Sequence, residues 1–184
     1  MSVRLFLQKH ALYAVTAMLF MIAFWRLGPS PELPAVLVFI LGGVLLSVID
    51  WKVQRLPKQL VYYTLAGVGG GLVVASLLEW DWVPLATAVA GGALFAGTLF
   101  LIWFSGRVRG VAILGFGDVR LAGVLGLLLG WYGLEFVLYG AIAGNLLAVL
   151  LAVALSIHKR ELLMRYSFGP PLIAGTLAVV LFHA

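Results

Sequence analysis

The 184-residue sequence contains no cysteine. This absence excludes disulfide bonds, thiolate metal sites and a cysteine nucleophile. Charged residues are also scarce, because they make up only 10% of the chain, whereas soluble domains carry about 25%. With 64% hydrophobic residues and a mean hydropathy of +1.13, the composition predicts a membrane protein with several spans. The net charge of +5 is therefore attributed to loops at one membrane face, and no nucleic-acid partner is expected.

The sequence also lacks the motifs of two classes of protease. It has no His-Glu-x-x-His pair, and its three histidines lie at the ends of apolar runs, so a zinc protease is not expected. It has no Gly-x-Ser-x-Gly sequence, which leaves a serine nucleophile without motif support. We therefore expect neither a metal nor a cofactor, and acidic side chains remain as the candidate catalytic groups.

Apolar runs fill most of the chain. Because a helix crosses the hydrocarbon core with about 20 apolar residues, these runs predict an all-α transmembrane bundle. We expect about seven spans (six to eight) in a single domain covering residues 1–184. The fifth and seventh predicted spans are short. The predicted spans are residues 10–27, 34–51, 60–78, 84–104, 118–131, 133–157 and 170–183.

The distribution of basic residues predicts the orientation. If the N-terminus is cytoplasmic, Arg26 is the only basic residue in an outer loop, and the other eleven face the cytoplasm. The chain is therefore expected in the cytoplasmic (inner) membrane, with the lipid bilayer as a partner and the C-terminus outside. The inner basic residues are Arg4, Lys9, Lys52, Arg55, Lys58, Arg107, Arg109, Arg120, Lys159, Arg160 and Arg165.

Tryptophan and glycine add two local predictions. Trp80, Trp82 and Trp131 are predicted to anchor the chain in the headgroup layer, which tryptophan favours. Clustered glycines predict close helix packing, because small residues let backbones approach one another. These glycines are Gly69 to Gly71, Gly91 and Gly92, and the pair Gly140 and Gly144.

Two aspartates lie at the ends of apolar runs. Asp50 follows the run 44–49, and Asp118 ends the sequence Gly115-Phe116-Gly117-Asp118 before the run 119–131. An acid inside a membrane helix costs about 2.5–3.5 kcal/mol at the bilayer centre and less near the interface. The predicted topology puts both aspartates at the cytoplasmic face. Two neighbouring carboxyl groups share one proton, so one can activate water while the other hydrogen-bonds to a scissile carbonyl.

Each aspartate also has a simpler interpretation. Asp50 could be a helix-end acid at the water boundary, balanced by Lys52 and Arg55. Asp118 could cap its own helix, since Asp suits helix N-termini. Lys52, Arg55 and Arg120 could tune the acid pair, or could simply be topology determinants and lipid-headgroup contacts. These alternatives stay open at this point.

Three separated motifs resemble the type IV prepilin peptidase family, which are membrane aspartic peptidases of the GxGD type. They are Asp50 followed by Leu56-Pro57, the run Gly115 to Leu121, and Phe168-Gly169-Pro170. The resemblance covers roughly residues 40–184. It implies that Asp50 and Asp118 are catalytic, with Gly115, Gly117 and Pro57 as motif residues. It also implies a prepilin-like or pseudopilin-like substrate of a type IV pilus or secretion system, cut at the cytoplasmic face.

The sequence departs from the family pattern in two ways. Lys58, Arg120 and Ser167 replace the residues that are commoner in the family at those positions. Bifunctional members also carry a cysteine-rich, zinc-binding insert, whereas this sequence has no cysteine and only short loops. The resemblance therefore implies endopeptidase activity, and N-methyltransferase activity is not expected. The oligomeric state and the residues that bind substrate cannot be predicted.

Two functions from other classes compete with the peptidase. A proton-coupled transporter would use paired aspartates for ion coupling, but it predicts acids near the bilayer centre and a polar path across the membrane. A catalytically inactive pilus-assembly relative would keep the fold without the chemistry, but the intact pair of acids argues against it.

Overall fold

The computed structural model describes residues 3–54, 56–111, 114–159 and 168–183, with the side chains of 10–154 and 168–183 within those ranges. The described residues form seven α-helices and no strand, which confirms the predicted all-α architecture. The helices are α1 (Val3–Leu27), α2 (Leu33–Val53), α3 (Lys58–Glu79), α4 (Val83–Val108), α5 (Phe116–Tyr132), α6 (Leu134–Lys159) and α7 (Gly169–His183).

Helix length divides the seven helices into two groups. α1, α2, α3, α4 and α6 each contain an apolar stretch long enough to span a membrane. α5 has 17 residues and α7 has 15, as the sequence predicted for the fifth and seventh spans. At 1.5 Å per residue these two helices are about 26 Å and 22 Å long, shorter than the hydrocarbon core of about 30 Å.

Glycines set the closest helix contact, between α4 and α5. A Cβ on Gly91 would lie 2.6 Å from the carbonyl oxygen of Gly126 and 2.9 Å from the Cα of Gly130. No side chain fits between these backbones, so the predicted packing role of Gly91 is confirmed. Gly70 differs, because a Cβ there would have no neighbouring heavy atom within 4 Å. The prediction that Gly70 is a packing residue was wrong, since it faces away from the helices that contact α3.

Arg26 links the end of α1 to the end of α7. Its Nε donates to the carbonyl of Leu181 at 2.7 Å, and its Nη2 donates to the carbonyl of Phe182 at 3.0 Å. The last carbonyls of a helix have no partner within the helix, so a basic side chain stabilises them. Arg26, the basic residue at the end predicted to face outward, therefore has a structural role in this bundle.

The ring of His183 fixes the same end of α7 against α5 and α6. It lies 4.0 Å from the Phe136 ring and 6.1 Å from the Tyr132 ring, measured between centroids. The short helices are therefore level with their neighbours at this end. At the other end of the bundle, the two short helices stop before their neighbours do. The rings of Trp103 on α4 and Phe116 on α5 lie 4.9 Å apart, so these two residues are at the same level. Residues 104–108 of α4 therefore extend about 8 Å beyond the start of α5. We call this recessed end, where α2 ends and α5 and α7 begin, the acid end.

The tryptophans behave in two ways. Trp80 is 84% exposed and Trp82 is 50% exposed, which fits the predicted interface anchors. Trp131 is only 8% exposed, so its predicted anchoring role was wrong; it packs in the core near the end of α5 instead. Several residues named in the sequence analysis lie outside the described residues: Arg55, Arg160, Arg165 and Ser167.

The α4–α5 packing yields a matched pair of predictions on one helix. Gly91→Ala forces a methyl group into rigid backbone and should lower the free energy of unfolding by about 1–3 kcal/mol. Gly97→Ala, where a Cβ meets nothing within 4 Å, should leave stability unchanged or raise it by about 0.5–1 kcal/mol. Unfolding of both variants in detergent micelles measures the difference; equal stability of the two variants would contradict this packing.

Candidate active site

Asp50 lies in the last turn of α2 and is buried, with 5% of its surface exposed. Its Oδ2 accepts a hydrogen bond from the backbone N–H of Gly169 at 3.2 Å. The interpretation of Asp50 as an acid at the water boundary was therefore wrong, because the start of α7 covers the carboxyl group. Lys52, which was expected to balance it, is exposed.

Asp118 lies in the first turn of α5 and is partly buried. The N-cap of this helix is Gly115, whose backbone lies close to the Asp118 carboxyl group and whose carbonyl accepts a hydrogen bond from the Asp118 N–H at 3.1 Å. A Cβ on Gly115 would lie 3.3 Å from the Asp118 Oδ2. The contact resembles the return half of a capping box, in which the third helical residue satisfies the N-cap backbone. Asp118 thus supports the start of its helix while its side chain lies at the acid end.

The segment after α2 meets the start of α5. A Cβ on Gly117 would lie 3.2 Å from the Leu56 Cβ, so the Leu56 side chain packs directly against the glycine before Asp118. Pro57, the next residue, is the N-cap of α3 and turns the chain into that helix. The two motifs are therefore in contact, although residues 58–114 lie between them in the sequence.

Asp50 and Asp118 are also near enough in space for the charge of Asp50 to act on the carboxyl group of Asp118. The 67 residues from 51 to 117 lie between them in the sequence. The fold thus brings to one end of the bundle two carboxyl groups that the sequence places far apart. Their catalytic role stays a prediction.

Arg120 lies two residues after Asp118 and packs on aromatic rings. Its guanidinium carbon is 4.6 Å from the Phe116 ring centroid and 5.8 Å from the Tyr62 ring centroid. Contacts of this kind contribute about 0.5–2 kcal/mol. Arg120 therefore connects α5 to α3 beside the acids, a packing role that the sequence analysis did not include.

An apolar cavity of about 110 Å³ opens between α6 and α7. Phe168, which precedes the Asp50 partner Gly169, lines one side, and Asn145 is the polar residue in the lining. Among the residues that the structure describes, no three His, Cys, Asp or Glu side chains are grouped so that they could hold a metal ion.

Comparison with known proteins assigns the family. A model of the type IV leader peptidase family matches residues 37–158, a range that includes Asp50 and Asp118. The chain belongs to the type IV leader peptidase family. This result confirms the resemblance drawn from the sequence motifs. The third motif, Phe168-Gly169-Pro170, lies beyond the matched range. No solved structure gives a significant match.

Curated relatives extend the family match over most of the chain. A prepilin leader peptidase/N-methyltransferase of Pseudomonas putida is 34% identical over 167 residues, which is 89% of this chain and 55% of the relative. A protein of the same name from Burkholderia pseudomallei (strain K96243) is 33% identical, over 84% of this chain and 48% of the relative. Another, from Pectobacterium carotovorum subsp. carotovorum, is 31% identical, over 89% of this chain and 58% of the relative. The chain thus spans about half the length of these relatives of the type IV leader peptidase family.

The contact between Leu56 and Gly117 can be tested by cross-linking, because the chain has no native cysteine. The distance of 3.2 Å is close to the Cβ–Cβ distances of disulfides, about 3.5–4.5 Å. The Leu56→Cys/Gly117→Cys variant should form an intramolecular disulfide on mild oxidation, detected by gel mobility and by mass spectrometry of the linked peptides.

The matched control is Leu56→Cys/Gly97→Cys, since a Cβ at position 97 has no heavy atom within 4 Å. This pair should stay unlinked under the same oxidation. Equal cross-linking of the two pairs, or none in either, would show that the segment after α2 does not lie against the start of α5.

Proposed function

We propose that this chain is a membrane aspartic endopeptidase that removes the leader peptide of a prepilin-like or pseudopilin-like protein. Membership of the type IV leader peptidase family and the names of the relatives support prepilin processing. The observation that carries the proposed mechanism is the meeting of buried Asp50 and partly buried Asp118 at one end of the bundle.

Two coupled carboxyl groups suffice for hydrolysis. One aspartate is ionised and takes a proton from a water molecule as that water attacks the scissile carbonyl carbon. The other aspartate is protonated and hydrogen-bonds to the carbonyl oxygen, which stabilises the negative charge that develops there. When the C–N bond breaks, the leaving amine takes up a proton, and the pair returns to its starting state with one proton. No covalent intermediate forms.

We place the acid end at the cytoplasmic face of the inner membrane. The support is the basic-residue distribution, in which every loop at this end carries Lys or Arg. α5 and α7 stop short of the bundle surface, so the aspartates would lie slightly below the headgroup layer. This depth suits a substrate cut where a polar leader meets an apolar helix. The apolar cavity beside Gly169 supports a substrate of that kind.

We assign only the peptidase step to this chain. The relatives are named for both peptidase and N-methyltransferase activities. The acid pair offers groups for hydrolysis, and the chain has no cysteine for a thiolate zinc site. Incubating the protein with a prepilin-like substrate and S-adenosylmethionine, with mass analysis of the new N-terminus, tests this assignment.

Replacing either aspartate should abolish cleavage. Asp50→Asn and Asp118→Asn each remove the ability to share a proton, and the rate should fall by at least about 10²–10⁴-fold. The measurement is cleavage of a prepilin-like substrate by purified protein in lipid vesicles. Glu79→Gln, at the opposite end of the bundle, is the control and should keep the wild-type rate.

Three other outcomes would contradict the proposal. If either Asn variant cleaves the substrate at the wild-type rate, the two aspartates are not the catalytic pair. Failure of the wild-type protein to cleave any prepilin-like substrate, with binding retained, would favour an inactive assembly protein. Proton or cation uptake into vesicles that depends on both aspartates, without cleavage, would favour a transporter.

Cleavage should not depend on a divalent metal, because the proposed mechanism activates water with carboxylates alone. Wild-type rate is expected after dialysis against EDTA, and added Zn²⁺ or Mg²⁺ should not increase it. Loss of activity in EDTA that is restored by one metal would refute the metal-independent mechanism and leave the family assignment intact.

A further inference from the structure

The first turn of α7 presents a single backbone donor, and that donor is used by Asp50. The first N–H groups of a helix have no partner within the helix. In residues 169–172, all of which the structure describes, Pro170 and Pro171 have no N–H, and the N–H of Leu172 donates to the carbonyl of Phe168 at 3.3 Å. The N–H of Gly169 is the remaining donor, and it binds Asp50 Oδ2 at 3.2 Å.

A side chain at this position would collide with the Asp50 carboxyl group. A Cβ on residue 169 would lie 2.6 Å from Asp50 Oδ2 and 3.4 Å from its Cγ. The carboxyl group therefore occupies the space that any other residue would need for its side chain. Asp50 is also buried and near a helix N-terminus, where a negative charge is stabilised.

α7 is a rigid support for this contact. Ile173 packs against Gly43 on α2, with 2.8 Å between its Cγ2 and a Cβ built on that glycine. A Cβ on Gly175 would lie 2.6 Å from the Cα of Gly144 on α6. At the far end of the helix, Arg26 binds the last carbonyls. The position of the Gly169 N–H is thus fixed from three sides.

We propose that Gly169 is a positioning residue for Asp50: its backbone N–H holds the Asp50 carboxylate in the orientation that faces Asp118. This inference rests on the proposed function, because it gives Gly169 a part in the same reaction. Gly169 itself does not touch the scissile bond. The proline pair after it keeps other donors out of the first turn of α7, so Asp50 has one fixed backbone partner there.

The kinetic test is Gly169→Ala. A methyl group at 2.6 Å displaces the carboxylate, so kcat should fall by about 10–100-fold, as expected for a misplaced catalytic group. KM should stay within about twofold, because the substrate contacts are not changed. Gly97→Ala is the control and should leave both constants unchanged. A normal kcat in Gly169→Ala, or a raised KM with normal kcat, would overturn the proposal.

A second test does not depend on activity. Gly169→Ala should lower Tm by about 2–6 °C in the wild-type background. In an Asp50→Ala background the carboxyl group is gone, so the same substitution should lower Tm by less than about 1 °C. Gly175→Ala, which meets Gly144 instead, should lower Tm equally in both backgrounds.

These tests separate the two proposals. If Gly169→Ala does not fold, recovery of folded protein in Asp50→Ala/Gly169→Ala supports the contact, and failure of the double variant to fold overturns it. An equal loss of Tm in both backgrounds also overturns it. If wild-type protein cleaves no substrate, the proposed function fails, while the Tm measurements still decide whether Gly169 holds Asp50.

Discussion

The acid end depends on the need to satisfy a buried carboxyl group. Asp50 is almost fully removed from solvent, and burying an ionisable group without partners is costly. The backbone N–H of Gly169 meets part of that need from a helix 119 residues away in the sequence. The contact fixes α7 against the end of α2. Because α7 also packs on α5 and α6, the same arrangement places the start of α5, and Asp118 with it, beside Asp50.

The short helices and the close glycine packing serve this arrangement. α5 and α7 are held level with their neighbours at the end opposite the acids, where Arg26 and His183 make their contacts. Their shortness therefore leaves a recess at the acid end. Gly91 and Gly126 let α4 and α5 approach until their backbones touch, which fixes the depth of Asp118. Packing at one end of the bundle thus determines where the acids lie at the other end.

The sequence predicted the helices and the acids but not their partners. The seven apolar runs and the two aspartates are local features, readable from hydropathy and from the positions of Asp50 and Asp118. The contact from Gly169 to Asp50 joins residues with no periodic relation, so no pattern in one sequence indicates it. The burial of Trp131 and the open side of Gly70 were mispredicted for the same reason: both depend on which neighbouring helix faces them. The motif Phe168-Gly169-Pro170 is evident in the sequence, but its contact with Asp50 is evident only in the fold.

The central claim is that Asp50 and Asp118 form one coupled acid pair, and infrared titration of the carboxyl groups tests it directly. The absorbance of protonated carboxyl groups is followed against pH in wild-type protein, Asp50→Asn and Asp118→Asn reconstituted in lipid. We predict that the titration midpoint of Asp118 differs between the wild type and Asp50→Asn, because coupled groups titrate as a pair. If Asp118 keeps the same midpoint in Asp50→Asn as in the wild type, the two acids are independent and the account is wrong.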